Sequence, residues 1–149
     1  MNKDDIVKYV HELDWSYPVE TQNEAIDILS RIDGEYLCFV FDKNQKATWE
    51  NAVKVIRKIG FPKNIPLLSD LVWLLQDINW PGALDVIEIL SSIEKTIIIP
   101  IIEKALLTAN SNGDSMWIAG ISLLVKKGEY KSIDFSDEKI YEILKKADF

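Results

Sequence analysis

The feature that most constrains this chain is a self-similarity. Trp15, Trp49, Trp80 and Trp117 stand 34, 31 and 37 residues apart, the interval at which two-helix units repeat. The segments behind three of them agree in detail. A small residue lies three positions on (Ala52, Ala83, Gly120), and aliphatics lie four, six and seven positions on. These are Val53, Val55 and Ile56; Leu84, Val86 and Ile87; and Ile121, Leu123 and Leu124. A tryptophan and the positions three, four and seven later share one helical face, and a small residue there lets a neighbouring helix approach closely.

The partner helices repeat too. Ile65-Pro66-Leu67-Leu68 and Ile99-Pro100-Ile101-Ile102 are 34 residues apart. Proline fits a helix's first turn, where its missing N–H has no intrahelical acceptor, so both prolines predict helix starts. Residues 65–76 and 97–108 are then second helices of their pairs, with a broad apolar stripe suited to a stack. Thr48 and Asn79 are residue types that cap helix N-termini, and Gly60 and Gly128, each behind two cations, suit helix C-termini. The loop signal is clearest at 110–114, Asn-Ser-Asn-Gly-Asp. Residues 36–41 favour a strand by composition, but their place in the repeat predicts a short helix. From Trp15 the aliphatic face begins only at Ala25, an irregularity expected of a terminal unit, and Ile140, Ile143 and Leu144 predict a closing helix. The expectation is an all-α protein, a HEAT-like α-α superhelix or short α-solenoid of about four helix pairs, forming a single domain over residues 1–149.

Charge and composition narrow the function classes. The longest apolar run, 97–102, is far short of the roughly 20 residues of a membrane span. The first residues are acidic where a signal peptide is basic. Cys38 is the single cysteine, which suits a reducing compartment, and the cytoplasm is the expected location. The net charge of -7 argues against nucleic-acid binding, since the lysines are scattered among acids. An acidic surface steers basic partners.

Catalytic chemistry finds little support. His11 is the only histidine; beside Glu12 and Asp14 it reads as a solvated surface residue, not a zinc ligand. Cys38 lies in an apolar hexapeptide without a basic neighbour to activate it and reads as a small buried hydrophobe. There is no phosphate loop and no nucleophile elbow. Asp77 and Asp114 each precede a repeat tryptophan by three residues, so they could converge as a carboxylate pair. Aspartate is also a preferred turn and cap residue, which accounts for both more simply. No cofactor or metal is expected.

The segment Leu71 to Ala83, Leu-Val-Trp-Leu-Leu-Gln-Asp-Ile-Asn-Trp-Pro-Gly-Ala, resembles the hallmark of a bacterial domain-of-unknown-function family with a Leu-Gln-Asp-x-Asn-Trp-Pro core. The stretch from Lys46 to Lys63 is similar to the same family, and the likeness spans about residues 42–120. It implies a compact HEAT-like helical domain and no established activity. The motif also describes a tight inter-helix turn in which Asn79 caps, Trp80 packs over the junction and Pro81 sets the first turn. Gln76, Asp77, Asn79, Trp80 and Asp114 form the candidate interaction ridge. The function expected is a non-enzymatic protein-interaction module, of the kind an immunity or antitoxin protein provides against a basic partner. The alternative is a nucleic-acid-acting enzyme, glycosylase-like or hydrolytic, on the same scaffold; that reading needs a basic groove with aromatic residues in it.

Overall fold

A computed structural model describes all residues from Met1 to Phe149. The chain is all-helical, with no strand, and no helix is long and apolar enough to cross a membrane. Eight α-helices follow in order: α1 (Lys3–His11), α2 (Val19–Leu29), α3 (Trp49–Ile59), α4 (Leu68–Leu74), α5 (Ala83–Ser91), α6 (Lys95–Ser111), α7 (Ser115–Lys127) and α8 (Glu138–Glu142). Short 3-10 helices stand between or beside them. The chain divides into two compact units, Met1–Leu67 and Leu68–Phe149.

In the first unit α1 packs on α2, and α2 on α3. The signals of helix α1 are in the sequence. Ile6, Val10 and Leu13 are buried at helical spacing. Asn2 and Asp5 form a reciprocal capping box, with backbone-to-side-chain distances of 3.0 and 3.1 Å. Residues 34–39 form a 3-10 helix, so the expectation of a short helix at 36–41 outweighs its strand-like composition correctly. Cys38 is a correction, because it is exposed. The three-residue period turns Leu37 and Val40 inward and leaves position 38 outside.

Helix α3 meets the repeat pattern fully: Trp49, Ala52, Val53, Val55 and Ile56 are all buried. Thr48 precedes it but does not cap it. The Thr48 hydroxyl donates to the Gln45 carbonyl at 2.6 Å, and a 3-10 turn over Lys46–Thr48 leads directly into the helix. That turn supplies the acceptors the first helical N–H groups need. Asn51 is buried, and its Nδ2 donates to the Leu13 carbonyl at 2.7 Å and to Gln22 Oε1 at 2.9 Å. Gln22 Nε2 in turn donates to the Tyr17 carbonyl, so one amide pair ties the α1–α2 turn to α3. At Gly60 the backbone has φ +76°, where a glycine ends a helix without the steric cost a Cβ brings.

In the second unit α4 packs on α5 and α6, α5 on α7, and α6 on α7. Proline 100 departs from expectation: it lies inside α6, not at its start. The helix begins at Lys95, where the Ile97 and Ile98 N–H groups both find the Glu94 carbonyl. Thr96 and Pro100 are exposed, so the interrupted turn faces solvent, and burial of Ile98, Ile99 and Ile102 offsets the roughly 3 kcal/mol an internal proline costs. The loop at 110–114 contracts to a Schellman turn. Gly113, at φ +64°, donates to the Asn110 carbonyl and Asp114 to that of Ala109. Gly128 ends α7 at an ordinary φ of -78°. Glycine is needed there for closeness, since a Cβ would stand 2.3 Å from the Tyr130 ring.

Two aspartates clamp turns strongly enough to titrate low. Asp14 accepts the Ser16 backbone N–H at 2.8 Å, and Asp134 accepts that of Lys131 at 2.8 Å and faces Lys95 Nζ at 3.3 Å. The Ser16 and Lys131 N–H groups, first among the causes, hold both carboxyls below the ordinary aspartate value. A depressed folded pKa contributes stability that is complete above the unfolded value of about 3.9 and is lost as pH falls from there through the lower folded pKa. The urea midpoint of the wild type is therefore expected to drop more steeply below pH 4 than that of Asp134→Asn, whose amide oxygen can still accept from Lys131. Parallel midpoints down to pH 3 would refute the assignment.

Candidate functional site

The motif turn is assembled from the end of α4 onward. The Leu75 and Gln76 N–H groups bond to the Val72 and Trp73 carbonyls and tighten the last turn. Asp77 Oδ1 then accepts the Asn79 N–H at 2.8 Å, while the Asp77 carbonyl accepts from Trp80 and the Trp80 carbonyl from Ala83. This is an Asx turn followed by a second tight turn. Gly82 has φ +87° and delays α5 to Ala83, so Asn79 is no cap; it lies exposed four residues upstream. The same delay places Trp80 outside the helix it was expected to head. Trp80 lies half-buried on Trp73, ring centroids 5.4 Å apart. Leu84 is 69% exposed where the repeat predicted a core aliphatic.

Helix α7 closes onto this turn through Gly120. A Cβ there would stand 2.0 Å from the Leu75 carbonyl oxygen, so the small-residue position of the repeat is a helix-to-backbone contact. Beside it opens a groove of about 440 Å³. Asp77 and Asn79 line it from the motif turn, Ala119 and Gly120 from α7, and Asp148 from the segment that follows residue 146. Ile78, Met116, Leu123 and Phe149 supply the apolar surface. Asp148 is held in place by its backbone N–H, which donates to the Ser115 carbonyl at 3.2 Å. The two ionisable side chains of the groove are both acids, and no lysine, arginine or histidine lines it.

The candidate ridge therefore divides. Asp77 and Asn79 meet at the groove, Trp80 turns to Trp73, and Gln76 is half-buried without lining the groove. Asp114 caps α7, its Oδ1 accepting the Trp117 N–H at 3.0 Å. Each of the two aspartates thus has a local backbone partner. No group of three or more histidine, cysteine, aspartate and glutamate side chains is arranged to hold a metal ion.

His11, exposed as expected, lies in a relay that sequence reasoning missed. Its Nδ1 stands 2.8 Å from Gln45 Oε1, and Gln45 Nε2 donates to Asp42 Oδ2 at 2.7 Å. An amide oxygen only accepts, so Nδ1 carries the proton. Glu103 was missed as well. It is 8% exposed and accepts the Ser136 hydroxyl at 2.5 Å, which fastens the segment before α8 to α6.

An all-helical chain whose inter-helix turn walls a small acidic groove is defined by the geometry. The chain belongs to the family described as a domain of unknown function, DUF5071, which it matches over residues 44–147. No curated protein and no solved structure matches it.

Proposed function

We propose that this protein is a non-enzymatic protein-interaction module that recognises a basic partner, as an immunity or antitoxin protein does, in the cytoplasm. The observation that carries the reading is the groove beside the motif turn: its floor is apolar and its only ionisable side chains are Asp77 and Asp148. In a chain of net charge -7 such a groove attracts cations and repels phosphates. The HEAT-like part of the proposal is supported by the pairing in the second unit. There α4 contacts α5 and α6 contacts α7, while α4 meets α6 and α5 meets α7, as two stacked helical hairpins do; α4 and α6 thus open their hairpins, where the repeat in the sequence placed residues 65–76 and 97–108 second in their pairs.

Affinity capture from the native host, followed by cross-link mapping, tests this. The expected result is a basic protein that elutes at raised salt and is lost from Asp77→Lys/Asp148→Lys. Salt-insensitive capture of an acidic partner would count against the reading. Tight, salt-sensitive binding of duplex DNA would replace it with the nucleic-acid alternative.

A further inference from the structure

Resting on the reading of that groove as a docking site, we infer that it admits one short segment of the partner: a large aliphatic side chain flanked by lysine or arginine. Size is the first argument. A space of about 440 Å³ falls among sites that enclose a compact group, far smaller than the patch on which two flat protein faces meet. Ala119 and Gly120 border the groove along α7 where that helix meets the Leu75 backbone, and apolar walls come from Ile78, Met116 and Leu123. Met116 is 51% exposed, and an unbranched thioether adapts to the shape of an aliphatic guest.

Charge is the second argument. Asp77 spends Oδ1 on the Asn79 N–H, which orients the carboxylate and leaves Oδ2 outside that turn. Asp148 is positioned by its own backbone bond to Ser115. An apolar guest alone would leave both carboxylates without a counter-charge, and an anionic guest would be repelled. A cation beside an aliphatic group satisfies both walls, and the exposed Asn79 amide can bond to the guest's backbone.

The test uses the full ¹⁵N-labelled chain and three acetylated, amidated pentapeptides: Gly-Lys-Leu-Lys-Gly, Gly-Lys-Ala-Lys-Gly and Gly-Glu-Leu-Glu-Gly. Backbone amide shifts report the site. The Lys-Leu peptide is expected to move Ile78, Asn79, Ala119 and Gly120 with millimolar affinity. The alanine peptide should bind about tenfold more weakly, and the glutamate peptide should leave these residues unmoved. Asp77→Asn and Asp148→Asn should each weaken binding about two- to five-fold. Asparagine keeps an oxygen for the Asn79 N–H, and the spectrum itself shows that each variant is folded. Met116→Ala, at an exposed position, should narrow the difference between the leucine and alanine peptides. Exposed acids outside the groove, changed as Asp33→Asn/Glu35→Gln, should have no effect.

Equal response to the glutamate peptide, shifts scattered over the surface, or no shifts at all would overturn the inference. So would groove shifts that follow protein concentration without peptide, which would assign the groove to a second copy of the chain. The two levels fail separately. A basic partner cross-linked away from the groove leaves the proposed function standing and removes this inference; peptide binding with no basic partner captured does the reverse.

Discussion

Replacing Gly120 with alanine is expected to cost about 3 kcal/mol or more, a large share of the roughly 5–15 kcal/mol that holds a domain together. The added Cβ would lie 2.0 Å from the Leu75 carbonyl oxygen and 3.0 Å from its carbon. Backbone cannot rotate aside as a side chain can, so the end of α4 and α7 must separate, and the core between them opens. In a chain of this size that corresponds to a fall of about 10 °C in Tm, read by calorimetry or by the urea midpoint. Gly34→Ala is the control, since nothing lies within 4 Å of a Cβ there and its effect should stay within about 0.5 kcal/mol. If both variants melted together, the close approach of α7 to Leu75 would be wrong, and with it the shape of the groove.

Trp117→Ala should be comparably severe, costing about 3–5 kcal/mol, because it removes an indole that is only 7% exposed and leaves a cavity. Trp117→Phe divides that cost. It keeps most of the ring volume but deletes the Nε1–H bond to the Val72 carbonyl, 3.0 Å long. The Val72 carbonyl retains the Leu75 N–H at 3.1 Å, so it is not orphaned, and the phenylalanine variant should lose about 1–2 kcal/mol. Trp15, half exposed, provides the contrast: Trp15→Ala should lose less than about 1 kcal/mol. Equal losses at Trp15 and Trp117 would dissolve the distinction between packing and surface tryptophans.

That distinction shows how far the repeat could be read. The sequence pattern treats Trp49, Trp80 and Trp117 as equivalent; for α3 the buried tryptophan and aliphatics agree, and for α7 all agree but Leu123, which is half-buried on the groove wall. It is interrupted at Trp80, because Pro81 and a left-handed Gly82 insert a turn between tryptophan and helix; Ala83, Val86 and Ile87 are still buried, and of that pattern only Leu84 is exposed. Proline misled once in the other direction. Pro66 stands in the opening 3-10 turn before α4, as read, whereas Pro100 is carried inside α6 by the isoleucines around it. Local preference is worth a few kcal/mol at most, and burial of several aliphatics exceeds it.

The site was partly legible. Asp77 and Asn79 were singled out correctly as neighbours of one turn, since an Asx turn is a property of adjacent residues. Gln76 and Trp80 were grouped with them only because they are adjacent in sequence, and the turn sends the Trp80 ring onto Trp73. Asp148, Met116 and Leu123 could not be found, because nothing local to them refers to residue 77. Asn51 and Glu103 carried no signal either, because what marks each is a partner 38 and 33 residues away in the chain.

The repeat of tryptophan, small residue and aliphatic face determined by itself that this chain is helical and which surfaces of α3 and α7 are buried, since helical periodicity and burial of apolar area are set by residues within a few turns of one another. The tertiary structure alone decided what the small position is for. Gly120 becomes a requirement only when the Leu75 backbone arrives against it, and Asp77 and Asp148 come to line one groove only when the chain folds back. Such contacts depend on where distant segments are placed in space, a quantity that no local pattern of residues encodes.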